Sequence, residues 1–493
     1  MNATPRNEFQ VIIIGAGPGG LCTAIKLREA GIEDFVILEK ADGVGGTWWH
    51  NRYPGAECDV KSHLYSFSFE LKRDWSRPFA GQEEILDYMQ HVADKYGIRP
   101  FCRFGNAVSA ARWQDDDACW AVETADGTRY RAPFVVSAMG MFNELNWPAI
   151  PGLDDFRGKL FHSARWDHDY DLAGKRVACI GSAASAVQFV PEIAPQTAQL
   201  HVFQRTANWV APKEDTPYTA EELRVLREDP EAIHRSREQI YAELNNFILF
   251  NDPELQAQNE AAGLANIDAV EDPTVRAKLR PTHPFGCKRP LFSNRYYPTF
   301  NLPHVELVTE RIERLAEHGV VTADGQEREV DCVILATGFQ VSRYLSAIEV
   351  TGRDGRRLDD AWSDGAQAYL GITTHGFPNL FMLYGPNTNN GSILFMIERQ
   401  VEYLVRQVER VRREALAFVD VRAEVEARYN ETMQRDIRKV DVWQANCGHY
   451  YNAKSGRMVT QWPHDLDEYT ARTARDDADA YDAVPRVAPA AAG

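Results

Sequence analysis

An α/β fold built from two copies of one parallel-sheet unit is predicted by three observations. Two apolar, β-branched runs each feed directly into a glycine-bearing turn and a helix. Later in each unit a Thr-Ala-Asp-Gly hairpin signal stands sixteen positions before a closing glycine, Thr124 to Gly140 and Thr322 to Gly338. A helix-rich stretch, about 213–287, interrupts the second copy.

In the first unit the continuous apolar run Val11–Ile14 reads as a strand buried on both faces. It enters Gly15-Ala16-Gly17-Pro18-Gly19-Gly20, a helix over 21–30 follows, and a second buried strand, Phe35–Leu38, ends at Glu39 and Lys40. Glu39 lies twenty-four positions beyond Gly15. Gly15, Gly17, Gly19 and Gly20 allow a tight turn, approach of backbone to a pyrophosphate and close helix packing, while the Glu39 carboxylate can accept hydrogen bonds from ribose hydroxyls. This is a complete Rossmann fingerprint for a dinucleotide.

The same grammar returns at Arg176–Ile180, followed by Gly181-Ser182-Ala183-Ala184-Ser185-Ala186, a helix to Ile193 and a strand over 200–204. Arg205 now stands twenty-four positions beyond Gly181, where the first unit has its acid. A carboxylate there would repel a 2'-phosphate, whereas a guanidinium can pair with it, so the second unit should prefer NADP(H) to NAD(H). Ala183 occupies the place of the second fingerprint glycine, and its methyl is expected to shift the cofactor slightly. The insertion reads as a helical subdomain, and its apolar spacing at Ile240, Leu244, Phe247 and Ile248 is expected to pack against its own core.

With 493 residues the chain is too long for one compact core. Its 44% hydrophobic and 25% charged residues suit a globular protein, and the net charge of -17 disfavours nucleic acid and anionic membrane as partners. The N-terminus has neither a signal-like apolar core nor a span long enough for a bilayer, so a cytoplasmic protein is expected. Eight cysteines without a Cys-x-x-Cys pair read as reduced, mainly structural thiols, which argues against disulfide reductase chemistry. No metal site is expected. The Ala-, Asp- and Pro-rich tail, 476–493, is expected to be disordered.

Between the two units lies Phe156-Arg157-Gly158-Lys159-Leu160-Phe161-His162-Ser163-Ala164-Arg165-Trp166-Asp167. A second long motif is Gly46-Thr47-Trp48-Trp49-His50-Asn51-Arg52-Tyr53-Pro54-Gly55-Ala56-Glu57-Cys58-Asp59. Cys287-Lys288-Arg289-Pro290 precedes Tyr296-Tyr297-Pro298-Thr299-Phe300-Asn301, and Ala336-Thr337-Gly338 and Leu383-Tyr384-Gly385-Pro386-Asn387-Thr388-Asn389 complete the set. On these motifs the chain, from residue 11 to about 463, resembles the type I Baeyer–Villiger monooxygenases of the wider flavin-containing monooxygenase group. Its wording is nearer the aryl-ketone, 4-hydroxyacetophenone monooxygenase-like members than the cyclic-ketone ones. Phe156, Gly158, His162, Trp166 and Asp167 are the matched fingerprint positions, read as coupling the two domains rather than as acids or bases.

The resemblance implies FAD on the first unit and NADPH on the second. It implies that Gly46, Thr47, Trp48 and Asp59 pass the flavin, that Lys288 joins Arg205 and Thr206 at the 2'-phosphate, and that Arg289, oriented by Asp59, is catalytic. Ser182, Ser185, Ala186, Ala336, Thr337, Gly338 and Asn387 are further cofactor-binding positions. The implied reaction inserts one oxygen of O2 into a ketone, giving an ester or lactone through an anionic C4a-peroxyflavin that a permanent guanidinium charge would stabilise. One alternative is oxygen transfer to nitrogen or sulfur, which Arg289 disfavours. Another is a flavoprotein that does not oxygenate, or an NADPH oxidase. Cys447-Gly448-His449-Tyr450 departs from the family pattern, which often has tryptophan before the tyrosine, so His449 puts local cofactor contacts in doubt.

The expected organisation is a FAD-binding domain from 1–148 and 343–475, an NADP-binding domain from 149–212 and 288–342, the insertion at 213–287 and the tail. A small-molecule ketone and O2 are the expected partners of a monomer or small homo-oligomer.

Overall fold

The computed structural model describes residues 6–448 and 451–486. Two five-stranded parallel sheets form its framework. The first is ordered Leu380–Met382, Phe134–Ser137, Val11–Ile14 (β1), Phe35–Leu38 (β2) and Cys102–Arg103. Ile12 pairs with Val36 on one side and Val135 on the other, and β1 is buried along its whole length. That is the environment a run of branched apolar residues without polar alternation demands.

The second sheet repeats the plan, in the order Val305–Val308, Gln199–Phe203, Arg176–Ile180, Cys332–Leu335 and Lys159–His162. Each sheet has one helix leaving its fingerprint turn: α1, Pro18–Glu29, and α2, Ala184–Ile193. α1 starts three residues earlier than its apolar spacing predicts, because Pro18 suits the first helical turn and draws Gly19 and Gly20 into it. Both Asp-Gly hairpins form: the Thr124 hydroxyl donates to Asp126 and the Thr322 hydroxyl to Asp324, each at 2.6 Å.

Four helices, between Ala220 and Leu279, occupy the insertion. It does not keep to itself. Arg237 donates to the carbonyls of His63, Leu64 and Ser66, at 2.9, 3.3 and 2.9 Å, which docks the insertion on the first unit. The predicted stripe is corrected in the same sense, since Leu244, Phe247 and Ile248 pack with Met396, Trp443 and Trp462 of the C-terminal segment rather than on an insertion core.

Two further expectations are corrected. Cys287 and Cys447 form a disulfide, so not all eight thiols are reduced; the topology brings together residues 160 apart, a juxtaposition no local spacing signals. Within the tail, Tyr481–Pro485 is a strand, antiparallel to Leu416–Val421. It is anchored by the buried Tyr481 hydroxyl, which lies 3.0 Å from the Thr373 hydroxyl and 2.6 Å from that of Tyr403. His449 falls outside the described residues. Among the described residues no helix is long and apolar enough to cross a membrane.

Candidate active site

Gly15 has a φ of +105°, and a Cβ there would stand 2.7 Å from the Ala138 carbonyl. Gly181 repeats this, with φ +114° and the Ala336 carbonyl in the same place. The two turns are thus one solution used twice, a sharp exit from the sheet that presents a helix N-terminus to an anion. Gly46, at φ +58°, lies against Gly17 so closely that a Cβ on it would meet the Gly17 Cα at 2.8 Å. Gly20 leaves room for the Gly15 carbonyl behind the turn.

A cavity of about 550 Å³ runs from these turns toward the second sheet. Gly15, Gly17, Gly19, Glu39, Lys40, Gly46, Thr47, Trp48 and Asp59 line it from the first unit, and Ser185 and Arg289 from the second. The buried Glu39 carboxylate accepts from the Ala16 and Ala41 amides, at 2.6 and 2.8 Å, and so is fixed at the end of β2. Burial, then the Arg165 charge, lowers the Lys40 pKa. Leu244, Phe247, Ile248, Phe250 and Phe292 provide an apolar wall, which sequence spacing alone did not assign to the site.

At the centre, Arg289 donates to one Asp59 oxygen through both Nε, at 3.1 Å, and Nη2. The pair is only partly shielded, with side chains 38% and 26% exposed, so its contribution to stability is small and its value lies in geometry. Asp59 closes a loop that the second unit grips. The Tyr53 hydroxyl donates to Gln188 Oε1 at 2.7 Å, and the Gln188 amide donates to the Glu57 carbonyl at 2.9 Å. Burial pushes Tyr53 up to about 12, so it remains a neutral donor.

The predicted phosphate cluster forms away from this cavity. Lys288 Nζ lies 2.7 Å from the Thr206 hydroxyl, and its pKa is lowered by burial and by the adjacent Arg205 charge. Two cations sharing a small region fit a multiply charged anion. Ser182 is held through its carbonyl by Asn208, while Ala183, in extended backbone at φ -97°, needs no glycine for its conformation. Ala186 is buried behind the turn. Asn387 also stands off the cavity, tying the carbonyls of Met458 and Gln461 at 3.0 Å each. Its Oδ1 is buried without a hydrogen-bond partner among the described residues.

The fingerprint lies at the junction. The chain crosses between the sheets twice, and the crossings run side by side: Asn146 N–H donates to the Gly338 carbonyl at 2.9 Å and the Thr337 hydroxyl to the Asn146 carbonyl at 2.6 Å. His162, buried at the end of its strand, packs its ring near Trp147 and Phe339 on these two crossings, at 6.0 and 6.1 Å. Burial pushes its pKa down to about 4, so near neutrality it is an uncharged wedge. A Cβ on Gly158 would meet the Phe156 ring and the Asp331 carbonyl. Trp166 packs between Phe161 and Phe189, and Asp167 pairs with Lys159.

The residues therefore fit two dinucleotides. A glycine cradle with a ribose-directed acid meets one, and a glycine turn with a cationic cluster meets the other. Comparison with known proteins agrees. A model of the family described as pyridine nucleotide-disulphide oxidoreductase matches residues 12–247. Cys287 and Cys447 lie beyond that match. A Baeyer–Villiger monooxygenase of Pseudomonas aeruginosa is 42% identical over 96% of this chain and 91% of its own. The structure of cyclohexanone monooxygenase from Rhodococcus sp. Phi1 bound to NADP+ superposes with a TM-score of 0.88 at 31% identity, covering 98% of this chain and 100% of that one. OTEMO in complex with FAD and NADP gives 0.86 at 29% identity, covering 97% and 99%. With relatives this similar along almost its whole length, and the first nucleotide turn facing the start of α2 across one cavity, the chain belongs to the Baeyer–Villiger monooxygenase family.

Proposed function

We propose that Arg289, held by Asp59 where the two nucleotide units meet, is the charge about which this chain oxygenates a ketone to an ester or lactone. The enzyme is an NADPH- and FAD-dependent monooxygenase. A bound FAD would take two electrons from NADPH and pass them to O2, one oxygen atom of which enters the ketone while the other leaves as water. Gly15, Gly17, Gly46 and Glu39 would hold the FAD, and Gly181 with Arg205, Thr206 and Lys288 the NADPH.

The observation that carries this reading is the Arg289–Asp59 ion pair in the cavity wall. A guanidinium stays charged at every working pH, so it stabilises negative charge developing on a carbonyl oxygen without giving up a proton. Oxygen transfer to nitrogen or sulfur uses an electrophilic, protonated oxygen donor, which a fixed cation disfavours. Asp59 orients the guanidinium plane. His162 couples the domains by packing on both crossings, with Phe156, Gly158, Trp166 and Asp167 shaping the strand end that carries it.

The apolar wall of Leu244, Phe247, Ile248, Phe250 and Phe292 suits a hydrophobic ketone, with aryl ketones the first class to try. The net charge of -17 disfavours nucleic acid as a partner. In the test, the enzyme is given NADPH, 18O2 and a panel of aryl, linear and cyclic ketones, amines and sulfides. An ester or lactone bearing one labelled oxygen is the expected product. Labelled N-oxides or sulfoxides without ester, or hydrogen peroxide alone, would overturn the assignment.

A further inference from the structure

Lys213 is buried to 4% side-chain exposure, and no motif singles it out. Its ammonium reaches from the second unit into the loop that ends at Asp59, where it pairs with Glu57 at 2.7 Å and donates to the Cys58 carbonyl at 3.1 Å. It also lies 4.5 Å above the Phe79 ring. The Cys58 carbonyl belongs to the peptide unit that leads into Asp59, so Lys213 grips the backbone one bond from the residue that holds Arg289.

The other end of Lys213 is fixed just as firmly. Asn294 brackets its backbone, accepting from the Lys213 amide at 2.8 Å and donating to its carbonyl at 2.6 Å. The strand Val210–Ala211 just before it pairs with Leu291–Phe292, which follows Arg289 after one proline. A closed ring of contacts results: Arg289 holds the Asp59 side chain, Lys213 holds the Cys58 carbonyl just before Asp59, and the paired strands with Asn294 hold Lys213 to the segment bearing Arg289.

Charge gives the ring its purpose. Glu57, Asp59 and Arg289 stand in one corner of the cavity, and Lys213 behind them brings the group to two positive and two negative side chains. As a stability device a buried ammonium is poor, since desolvation offsets most of its pairing energy. It does pair Glu57, a second carboxylate two residues from Asp59 on the same wall of the cavity as Arg289.

We propose that Lys213 is a positioning residue for oxygenation, fixing Asp59 through the Cys58 carbonyl and reserving Arg289 for Asp59 by neutralising Glu57. The proposal rests on the reading of Arg289 and Asp59 given above. Misplacement of a catalytic group by a fraction of its working distance can cost about a hundredfold in rate. The Lys213→Met holoenzyme is therefore expected to lose about tenfold to a hundredfold in ester formed per NADPH consumed, while NADPH still reduces the flavin. Lys213→Arg is expected to recover most of it, and the charge-balanced Lys213→Met/Glu57→Gln only the part that comes from the uncompensated Glu57 charge.

The experiment measures ester yield per NADPH, flavin content and flavin reduction rate for these variants, with Arg289→Ala beside them. Unchanged ester yield in Lys213→Met, or a loss that neither the arginine nor the double variant recovers, overturns the proposal. If Arg289→Ala itself keeps full ester yield, the reading of the site fails instead, whatever Lys213 does.

Discussion

Arg205 and Lys288 crowd one small region of the second unit, where burial and then the Arg205 charge raise the cost of charge on Lys288. A dianionic phosphate would relieve that cost, and we propose the pair as a selector for the 2'-phosphate rather than a general clamp on the nucleotide. Arg205→Ala is expected to raise the Michaelis constant for NADPH about tenfold to a hundredfold, the scale of a lost charge-assisted contact, with a much smaller change for NADH. Equal losses with both cofactors would remove Arg205 from the phosphate. At the same scale His162 shows how a fingerprint residue can matter without chemistry: a ring pushed down to about 4 is uncharged at neutral pH, and its packing on Trp147 and Phe339 is what remains.

The loop 46–59 is the element on which the site turns. It begins against the first fingerprint turn, at Gly46, and ends under the control of the second unit, at Asp59. Gly55 marks the handover. Its φ is +74°, and a Cβ there would meet the Gln188 carbonyl at 2.7 Å and Glu192 at 2.8 Å. Gly55→Ala should push the loop off α2, lowering ester yield per NADPH while FAD stays bound; an unchanged yield would show that the loop's seat on α2 does not position Asp59.

This element also shows what could be read from the amino-acid order. Both fingerprint turns and their strands were legible, because glycine geometry and apolar runs are local; the Arg289–Asp59 pair, 230 residues apart, was reachable only through the family resemblance. Lys213, Gln188, the Cys287–Cys447 bridge and the apolar wall were not. Each acts between segments that only the tertiary fold brings together, and a lysine or a helical stripe looks the same in sequence whether it meets solvent, its own core or a neighbouring unit. The strand Tyr481–Pro485 was hidden by its composition, since its anchoring rests on Tyr481 contacts with Thr373 and Tyr403 more than on its alanine and proline.

In the whole molecule, two copies of one sheet plan are joined by two antiparallel crossings, and the cavity lies where loop 46–59, the insertion and the Arg289 segment converge. Hydride delivery and oxygen insertion draw on different parts of this arrangement. Reduction needs the two nucleotide turns in place; insertion further needs a fixed positive charge beside the reacting carbonyl. The two half-reactions are therefore expected to separate at Arg289. The most direct measurement is rapid mixing of the Arg289→Ala holoenzyme with NADPH, then with O2 and a ketone. Flavin reduction within about a few-fold of the parent rate, with ester formation reduced about a hundredfold to a thousandfold or more, is the predicted result. Ester formation at the parent rate would contradict it.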